Sequence, residues 1–289
     1  MHQFWLMVGT ERNWKIAFES NNIWGLKDFR ELRALWNMLR EGDGLLFYVS
    51  KPVHGIVGLG RVVTKFKQTS PLWPEELNRN EVIWPLRFEF DTEYCLPPSL
   101  WASHKYTSQD LQRVTRMVFQ CYPIEEVSVV RAALGLKTPV EPTPPAAVQT
   151  GAPLEPVAIR HDELKAYLAE IGRIQGYIAD EEYPLDSTRL DVVWRRVERS
   201  VPTFAFEAQI GGDIYHAMAK LKHAFDIWNS RIFLVATAGD RSVYMELLSG
   251  TFHEVADQMA FIEAASVKRL LEKKRDYKDM ERALGIFKG

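Results

Sequence analysis

The sequence is poor in cysteine, in net charge and in long hydrophobic runs. Its two cysteines form neither a metal-binding spacing nor a disulfide framework, so we expect a reducing, cytoplasmic environment. The net charge of −2 over 289 residues gives no global attraction for polyanions, so any nucleic-acid site must be a local patch. The apolar run "FWLMVGT" is too short to cross a bilayer, and we expect no secretory leader and no membrane partner.

A proline-rich segment divides the chain. Residues 133–158 hold six of the fifteen prolines among Ala, Thr and Gly, a composition that removes backbone donors and builds no core. We therefore predict a linker between two domains, residues 1–132 and 159–289, each large enough for its own core. The predicted fold class is a two-domain combination of α+β and α/β.

The first half is predicted to be a β-barrel-like domain with helices. Short apolar runs bounded by turn residues predict strands in "FWLMVGT", "GDGLLFYVS", "HGIVGLGRVVT" and "VIWPLRFEF". Helical spacing predicts helices in "KDFRELRALWNMLR" and "TSQDLQRVTRMVFQCY". The stretch "ERNWKIAFESNNIWGL" is polar and is predicted to be a loop.

Tryptophan is concentrated in this half, where seven of the nine occur. Trp14 and Trp24 lie in the polar stretch, and Trp73 stands between prolines in "SPLWP". Aromatic rings in loops are stacking surfaces for nucleobases, whereas the ordinary alternative for a tryptophan is the core. We assign three others to the core: Trp5, Trp36 and Trp84.

The order of "FWLMVGTERNWKI", "IWGL", "EGDGLLFYVS", "GIVGLGRVVT", "PLWPEE" and "WPLRFEF" resembles the EVE domain, a PUA-like group related to YTH domains. The resemblance implies a PUA-like β-barrel whose aromatic pocket holds a flipped, modified base. The base-binding residues that it implies are Trp14, Trp24, Asn13, Ser20, Asn22 and, less directly, Trp73. Stacking on aromatic rings is worth about 1–3 kcal/mol per base and offsets the cost of unstacking.

Basic residues end one of the predicted strands. Arg61, Lys65 and Lys67 in "RVVTKFKQ" are predicted to follow the phosphate backbone of a nucleic acid. A solvated strand end explains the same three residues equally well.

The second half has the predicted order helix–strand–strand–strand–helix–strand. The segments are "HDELKAYLAEIGRIQG", "YIADEEYPL", "RLDVVWRRV", "TFAFEAQI", "DIYHAMAKLKHAFDIWN" and "RIFLVAT". Asp213 is the predicted N-cap of the second helix, and a charged, mostly helical tail follows from about Phe252 to Leu284. This order predicts an α/β domain.

Two carboxylates interrupt neighbouring apolar strands in this half. Asp191 lies on the second strand, and Glu207 lies near the end of the third, with Gln209 on the same face. Oxygen ligands of this kind suit Mg²⁺ or Mn²⁺, which would activate a water for attack on a phosphate. The alternative is that both acids are structural, with Glu207 paired to Arg189 or Lys220.

This pattern resembles the PD-(D/E)xK nuclease superfamily, which places an Asp on one strand and Glu-x-Lys on the next. Two departures stand out, because Gln209 replaces the usual lysine and Leu190 replaces a common proline. The resemblance implies a restriction-endonuclease-like core. It also implies catalytic and metal-binding roles for a set of residues: Asp191, Glu207, Gln209 and, from the first helix, Glu170 or Glu163. Lys220 on the next helix is predicted to contact phosphate.

Together the halves predict a modification-dependent DNA endonuclease. A base-binding domain would supply affinity, a metal-dependent domain would cut, and cutting both strands favours a homodimer. One alternative is a non-catalytic protein that binds modified DNA or RNA through the first half. Another is a nuclease that recognises RNA.

Overall fold

The computed structural model describes residues 3–113, 119–122, 124–136 and 159–285. The chain divides into two compact units, residues 1–149 and 150–289. Most of the predicted linker, residues 137–158, lies outside the described residues, so the linker stays a prediction. No described helix is long and apolar enough to cross a membrane.

The N-terminal unit is built around one sheet. Its strands are β1 (Phe4–Gly9), β2 (Ile23–Leu26), β3 (Gly44–Val49), β4 (Gly55–Lys67), β5 (Leu86–Cys95) and β6 (Phe119–Tyr122). Its helices are α1 (Glu11–Glu19), α2 (Arg30–Met38), α3 (Pro74–Arg79), α4 (Trp101–His104), α5 (Gln109–Arg113) and α6 (Ile124–Ala133). The strand order is β2-β5-β4-β3-β1-β6, so β2 and β6 form the edges.

Strand pairing in this unit is mostly antiparallel. Among the described strands of this unit, only the β1–β3 pair is parallel. The sheet curls into a half-barrel, in agreement with the barrel-like class predicted from the sequence. Every residue of β3 is buried, which the continuous apolar run "GLLFYV" explains.

Two segments of the N-terminal unit differ from the sequence-based expectation. The stretch after Thr10 is helix α1 rather than a loop, because the Thr10 side chain caps the helix by accepting the Asn13 N–H at 3.1 Å. Residues 119–122 form β6 rather than the end of a helix. Phe119 stacks on Trp5, with 4.8 Å between the ring centroids, so packing of this short segment overrides its helical spacing.

The C-terminal unit follows the predicted element order. Its elements are α7 (His161–Ile174), β7 (Ile178–Leu185), β8 (Thr188–Arg195), β9 (Phe204–Gln209), α8 (Ile214–Trp228), β10 (Arg231–Ala236), α9 (Arg241–Ser249), β11 (Met259–Glu263) and α10 (Ala264–Ala283). The strand order is β11-β10-β9-β8-β7, antiparallel from β7 to β9 and parallel from β9 to β11. Strand β11 was expected to be helical; instead it pairs with β10.

Alternation along β9 places its side chains on the two faces of this sheet. Phe204 and Phe206 pack in the core that α7 and α10 help to form. Glu207 therefore projects from the opposite face, where it contacts Lys220 of α8. The α7–β7–β8–β9–α8–β10 order thus brings an acidic strand end against a basic helix.

Candidate functional site

A cavity of about 70 Å³ opens beside α1 and β2 of the N-terminal unit. One water needs only about 10–15 Å³ of such space, so the cavity admits a larger group. Its lining residues are Arg12, Asn13, Ile16, Trp24, Gly25, Trp73, Pro74, Glu75 and Trp84. Three of the nine are tryptophans, which makes the cavity a stacking site for a planar ring.

Glycine permits the close approach of the walls. A Cβ atom added to Gly25 would lie 2.7 Å from the Trp73 ring and 2.9 Å from Cβ of Trp84. The rings of Trp73 and Trp84 are themselves 5.2 Å apart at an interplanar angle of 57°. Any larger residue at position 25 would displace a wall of the cavity.

The indole N–H groups divide the buried tryptophans of this unit into two sets. Four donate to an acceptor: Trp5 to Asp43 Oδ2 at 2.9 Å, Trp14 to the Tyr48 carbonyl at 2.9 Å, Trp36 to the Arg87 carbonyl at 3.0 Å and Trp101 to the Leu96 carbonyl at 2.7 Å. The Nε1 atoms of Trp24 and Trp73 are buried without a hydrogen-bond partner in the described part of the chain. An unpaired buried donor costs about 1–3 kcal/mol, so these two indoles are the unsatisfied members of the set.

A buried carboxylate anchors two of the walls. Glu76 accepts the backbone N–H groups of Leu72, Trp73, Ile83 and Trp84, each at 3.0 Å. It also accepts from Arg87 Nη2 at 2.5 Å, and both side chains of this ion pair are fully buried. The Arg87 guanidinium lies 4.3 Å from the centre of the Trp73 ring. One ion pair therefore fixes both loops that carry the walls.

The anchor is charged at neutral pH. Burial by itself would raise the pKa of Glu76, but the charge of Arg87 and the backbone N–H groups outweigh it and lower that pKa. Burial lowers the pKa of Arg87 to about 10, with the Glu76 carboxylate opposing the shift. Both groups therefore keep their charges at pH 7.

Three of the predicted base-binding residues line the cavity: Asn13, Trp24 and Trp73. Trp84 also lines it, which corrects the expectation that this residue belongs to the core. A signal for Trp84 exists in the sequence, because Trp73-Pro74 and Trp84-Pro85 are the same dipeptide, placed at the edge of two apolar segments. The anchoring role of Glu76 has no comparable local signal.

The other three predicted base-binding residues lie elsewhere. Trp14 is only 1% exposed and packs behind Trp24, with 4.3 Å between the ring centroids. Ser20 caps the C-terminal end of α1. Asn22 has a left-handed backbone, with φ of 60°, and its carbonyl accepts the N–H of Phe90 at 3.0 Å. A base-edge contact by Ser20 or Asn22 stays a prediction.

The three predicted phosphate-contacting residues of β4 differ in their surroundings. Arg61 and Lys67 are exposed, and Arg61 donates to the carbonyl of Gly42 at 3.2 Å. Lys65 donates to the carbonyls of Trp36 and Asn37, each at 3.0 Å. Burial lowers the pKa of Lys65 to about 8. Lys65 thus serves the C-terminal end of α2, and its contact with phosphate stays a prediction.

In the C-terminal unit, β8 and β9 bring the two predicted acids together. Val192 pairs with Phe206, so Asp191 and Glu207 occupy the next positions of the antiparallel ladder. The Asp191 N–H donates to Glu207 Oε1 at 3.1 Å, and Asp191 Oδ2 accepts the Ala208 N–H at 2.8 Å. His161 Nε2 lies 3.4 Å from Asp191 Oδ2.

Glu207 is the most perturbed of these groups. Burial first, and repulsion by Asp191 second, raise the pKa of Glu207 to about 8, while Lys220 opposes the shift. Lys220 forms an ion pair with Glu207 Oε2 and donates to the Arg189 carbonyl at 2.9 Å. This is one of the two ion pairs that the structural alternative expected. Perturbed acids of this kind are common at functional sites and also occur in structural networks.

The remaining predicted residues of this site have separate positions. Gln209 is half-buried at the end of β9, with its side chain against Gly212. Glu170 forms a bidentate ion pair with Arg275 of α10 at 2.5 and 2.6 Å. Among the described residues, no group of three or more His, Cys, Asp or Glu side chains is arranged to hold a metal ion. The site is thus a pair of acids with Lys220 beside Glu207 and His161 beside Asp191.

Comparison with known protein families gives a match in the N-terminal unit. Residues 3–123 match the EVE domain, and this segment contains the whole cavity. No curated protein matches the sequence.

Several solved structures are similar at low identity. Rpa0253 from Rhodopseudomonas palustris is 15% identical, with 49% of this chain and 99% of that chain covered and a TM-score of 0.31. Atu2648 from Agrobacterium tumefaciens is 19% identical, with 47% and 96% covered and a TM-score of 0.32. The Mmi1 YTH domain is 12% identical, with 46% and 75% covered and a TM-score of 0.33.

Proposed function

We propose that the N-terminal unit binds an extruded, modified base of a nucleic acid in the cavity between Trp24, Trp73 and Trp84. The observation that carries this proposal is a tryptophan-walled cavity, inside an EVE domain, whose two buried wall indoles lack acceptors. An extruded base offers two apolar faces for stacking and ring nitrogen or carbonyl atoms as acceptors. A methyl group on that base adds apolar surface that the cavity can bury.

The neighbouring residues support the selection of a base. Arg12 and Asn13 are exposed residues of α1 that line the cavity, so they can contact the sugar, the phosphate or the base edge. Glu76 and Arg87 hold the walls in place before a ligand arrives, which reduces the entropy lost on binding.

Equilibrium binding to matched oligonucleotides tests this proposal. DNA and RNA strands that differ only by methylcytosine, hydroxymethylcytosine or methyladenine are titrated with the full chain. We expect preference for one modified strand, and a loss of about 5- to 150-fold for Trp73→Ala, the equivalent of one stacked base. Trp73→Phe keeps an aromatic ring and removes the N–H group, so it should lose less.

Phe29→Ala is the control, because Phe29 is 58% exposed and lies outside the cavity lining. Equal affinity for modified and unmodified strands would contradict recognition of a modification. Unchanged binding by Trp73→Ala would remove the cavity from the proposal.

We also propose that the C-terminal unit hydrolyses phosphodiester bonds, so that the whole chain is a modification-dependent DNA endonuclease. The observation that favours this function is the convergence of Asp191, in the middle of β8, with Glu207, near the end of β9, beside Lys220. The oxygen ligands fit a divalent cation, which takes one or two carboxylates along with water and substrate phosphate. Asp191 and Glu207 would hold Mg²⁺ or Mn²⁺, which when bound polarises the phosphate and activates a water.

The chain's own residues have distinct roles in this proposal. The Ala208 N–H orients Asp191, and the Asp191 N–H orients Glu207. Among the described ion pairs, Lys220 of α8 is the only cation in direct contact with Glu207. It lies close to the strand position at which Gln209 replaces the usual lysine. Its ammonium can stabilise the negative charge that develops on a phosphate. A homodimer would provide one such centre for each DNA strand.

Digestion of the modified DNA identified by binding tests this second proposal. With Mg²⁺ or Mn²⁺, we expect the wild-type chain to cut or nick it, and we expect Glu207→Ala and Lys220→Met to bind it without cutting. Glu198→Gln, a change at an exposed acid of the β8–β9 connection, should cut normally. A wild-type chain that binds modified DNA but cuts neither strand would favour the alternative, a non-catalytic binding protein.

A further inference from the structure

The last turns of α10 carry an apolar stripe that the described residues leave exposed. Beyond Leu271, no described residue of α10 is buried. Four large apolar side chains on this helix and its C-cap are strongly exposed: Leu270 at 47%, Tyr277 at 61%, Met280 at 63% and Leu284 at 67%. Exposed apolar residues scattered singly are ordinary, but a continuous stripe indicates an interaction surface.

The spacing of these residues is that of a coiled coil. Leu270, Tyr277 and Leu284 are seven residues apart, so they occupy the a positions of a heptad. Met280 occupies a d position, and Lys273 occupies the other one. The buried residues of α10, which include Val267 and Leu271, lie on an adjacent face against α7 and the sheet. One face of α10 therefore packs against its own unit, and the second face is exposed and can bind a partner.

We infer that this second face, residues 269–284, pairs in antiparallel orientation with the same face of a second copy of the chain. The charged residues at the e and g positions, which flank the stripe, determine the orientation of the pair. They are Arg269, Lys274, Asp276 and Glu281. A parallel pair would place Arg269 beside Lys274 and Asp276 beside Glu281, and both are like-charge contacts. An antiparallel pair places Lys274 of each copy opposite Glu281 of the other.

The local contacts of these charges are compatible with such pairing. Glu281 contacts Lys278 of its own helix at 2.8 Å, three residues away; the Lys278 side chain is 37% exposed and the Glu281 side chain 14%. The exposed Lys278 ammonium can turn to solvent at little cost, so the Glu281 carboxylate is open to a cation from across an interface. The seam is only two heptads long, so we expect a weak, concentration-dependent dimer.

Sedimentation velocity of the full chain over a wide concentration range tests this inference through a charge swap. Lys274→Glu and Glu281→Lys should each weaken the dimer by about tenfold or more, because each places like charges opposite one another. The double variant Lys274→Glu/Glu281→Lys should restore the wild-type dimer. Circular dichroism should be unchanged, since both residues lie outside the core.

Glu272→Lys is the control for Glu281→Lys. It makes the same charge change at a position outside the a, d, e and g set of the heptad. A monomer at all concentrations would overturn the inference and indicate a different occupant of the stripe. Single variants that dimerise like the wild type, or a double variant that fails to recover, would overturn it as well. The result is independent of base binding and of cutting, both of which are measured separately.

Discussion

At the scale of single residues, Glu76 organises the proposed binding cavity without lining it. Its two carboxylate oxygens accept four backbone N–H groups and the Arg87 guanidinium. A buried charge is tolerated only when its hydrogen bonds are satisfied in this way. The same residue therefore stabilises the fold and positions Trp73 and Trp84.

The first prediction at this scale concerns Glu76→Gln. Leaving Arg87 buried without a counter-charge should lower the free energy of unfolding of the N-terminal unit by about 3 kcal/mol near pH 7. The pKa of Glu76 is lowered in the folded protein, so its contribution is present above its ordinary pKa and is lost as pH falls through the lowered value. The difference between variant and wild type should therefore shrink in acid.

Urea denaturation followed by tryptophan fluorescence measures this difference, because seven of the nine tryptophans lie before residue 133. Glu75→Gln is the neighbouring control, since Glu75 is 45% exposed and pairs only with Arg79, at 2.7 Å, among the described ion pairs. A Glu76→Gln variant as stable as the wild type at neutral pH would show that the ion pair does not hold the loops.

At the scale of helices and strands, periodicity predicted most elements of both units. Long apolar runs such as "GLLFYV" and amphipathic spacing such as that of α8 are strong local signals. Helix α1 was missed because only two of its residues, Trp14 and Ala17, are buried, so its polar composition resembled a loop. Strands β6 and β11 are four and five residues long, and their pairing with β1 and β10 depends on contacts distant in sequence.

The two sites differ in how far the sequence could predict them. Asp191 and Glu207 were predicted to meet because acids on adjacent strands share an edge, and the structure places them side by side. The pairing of Glu207 with Lys220 depends on how α8 packs on the sheet. From the sequence alone, Arg189 and Lys220 were equally possible partners of Glu207. At the cavity, the repeated Trp-Pro dipeptide was a local signal for Trp84, but the path of the loop that brings Trp84 beside Trp73 is visible only in the structure.

At the scale of the whole molecule, we propose separate roles for the two units: base binding for the first and phosphodiester hydrolysis for the second. A net charge of −2 provides no long-range attraction for nucleic acid, so affinity must come from local contacts such as those of the cavity. If the first unit holds a modified base, covalent linkage raises the effective concentration of the second unit near it. If the second unit is also the proposed nuclease, cleavage should fall at a distance from the modified base, and self-association through α10 would supply the second cutting centre.

The most direct test of the central claim is an NMR titration of the full chain labelled at the tryptophan indoles. On addition of the preferred modified oligonucleotide, the Nε1–H resonances of Trp24, Trp73 and Trp84 should shift. The buried tryptophans that already have acceptors and do not pack on Trp24 should change little: Trp5, Trp36 and Trp101. Unmoved Trp24 and Trp73 resonances at saturating ligand would contradict base binding in this cavity.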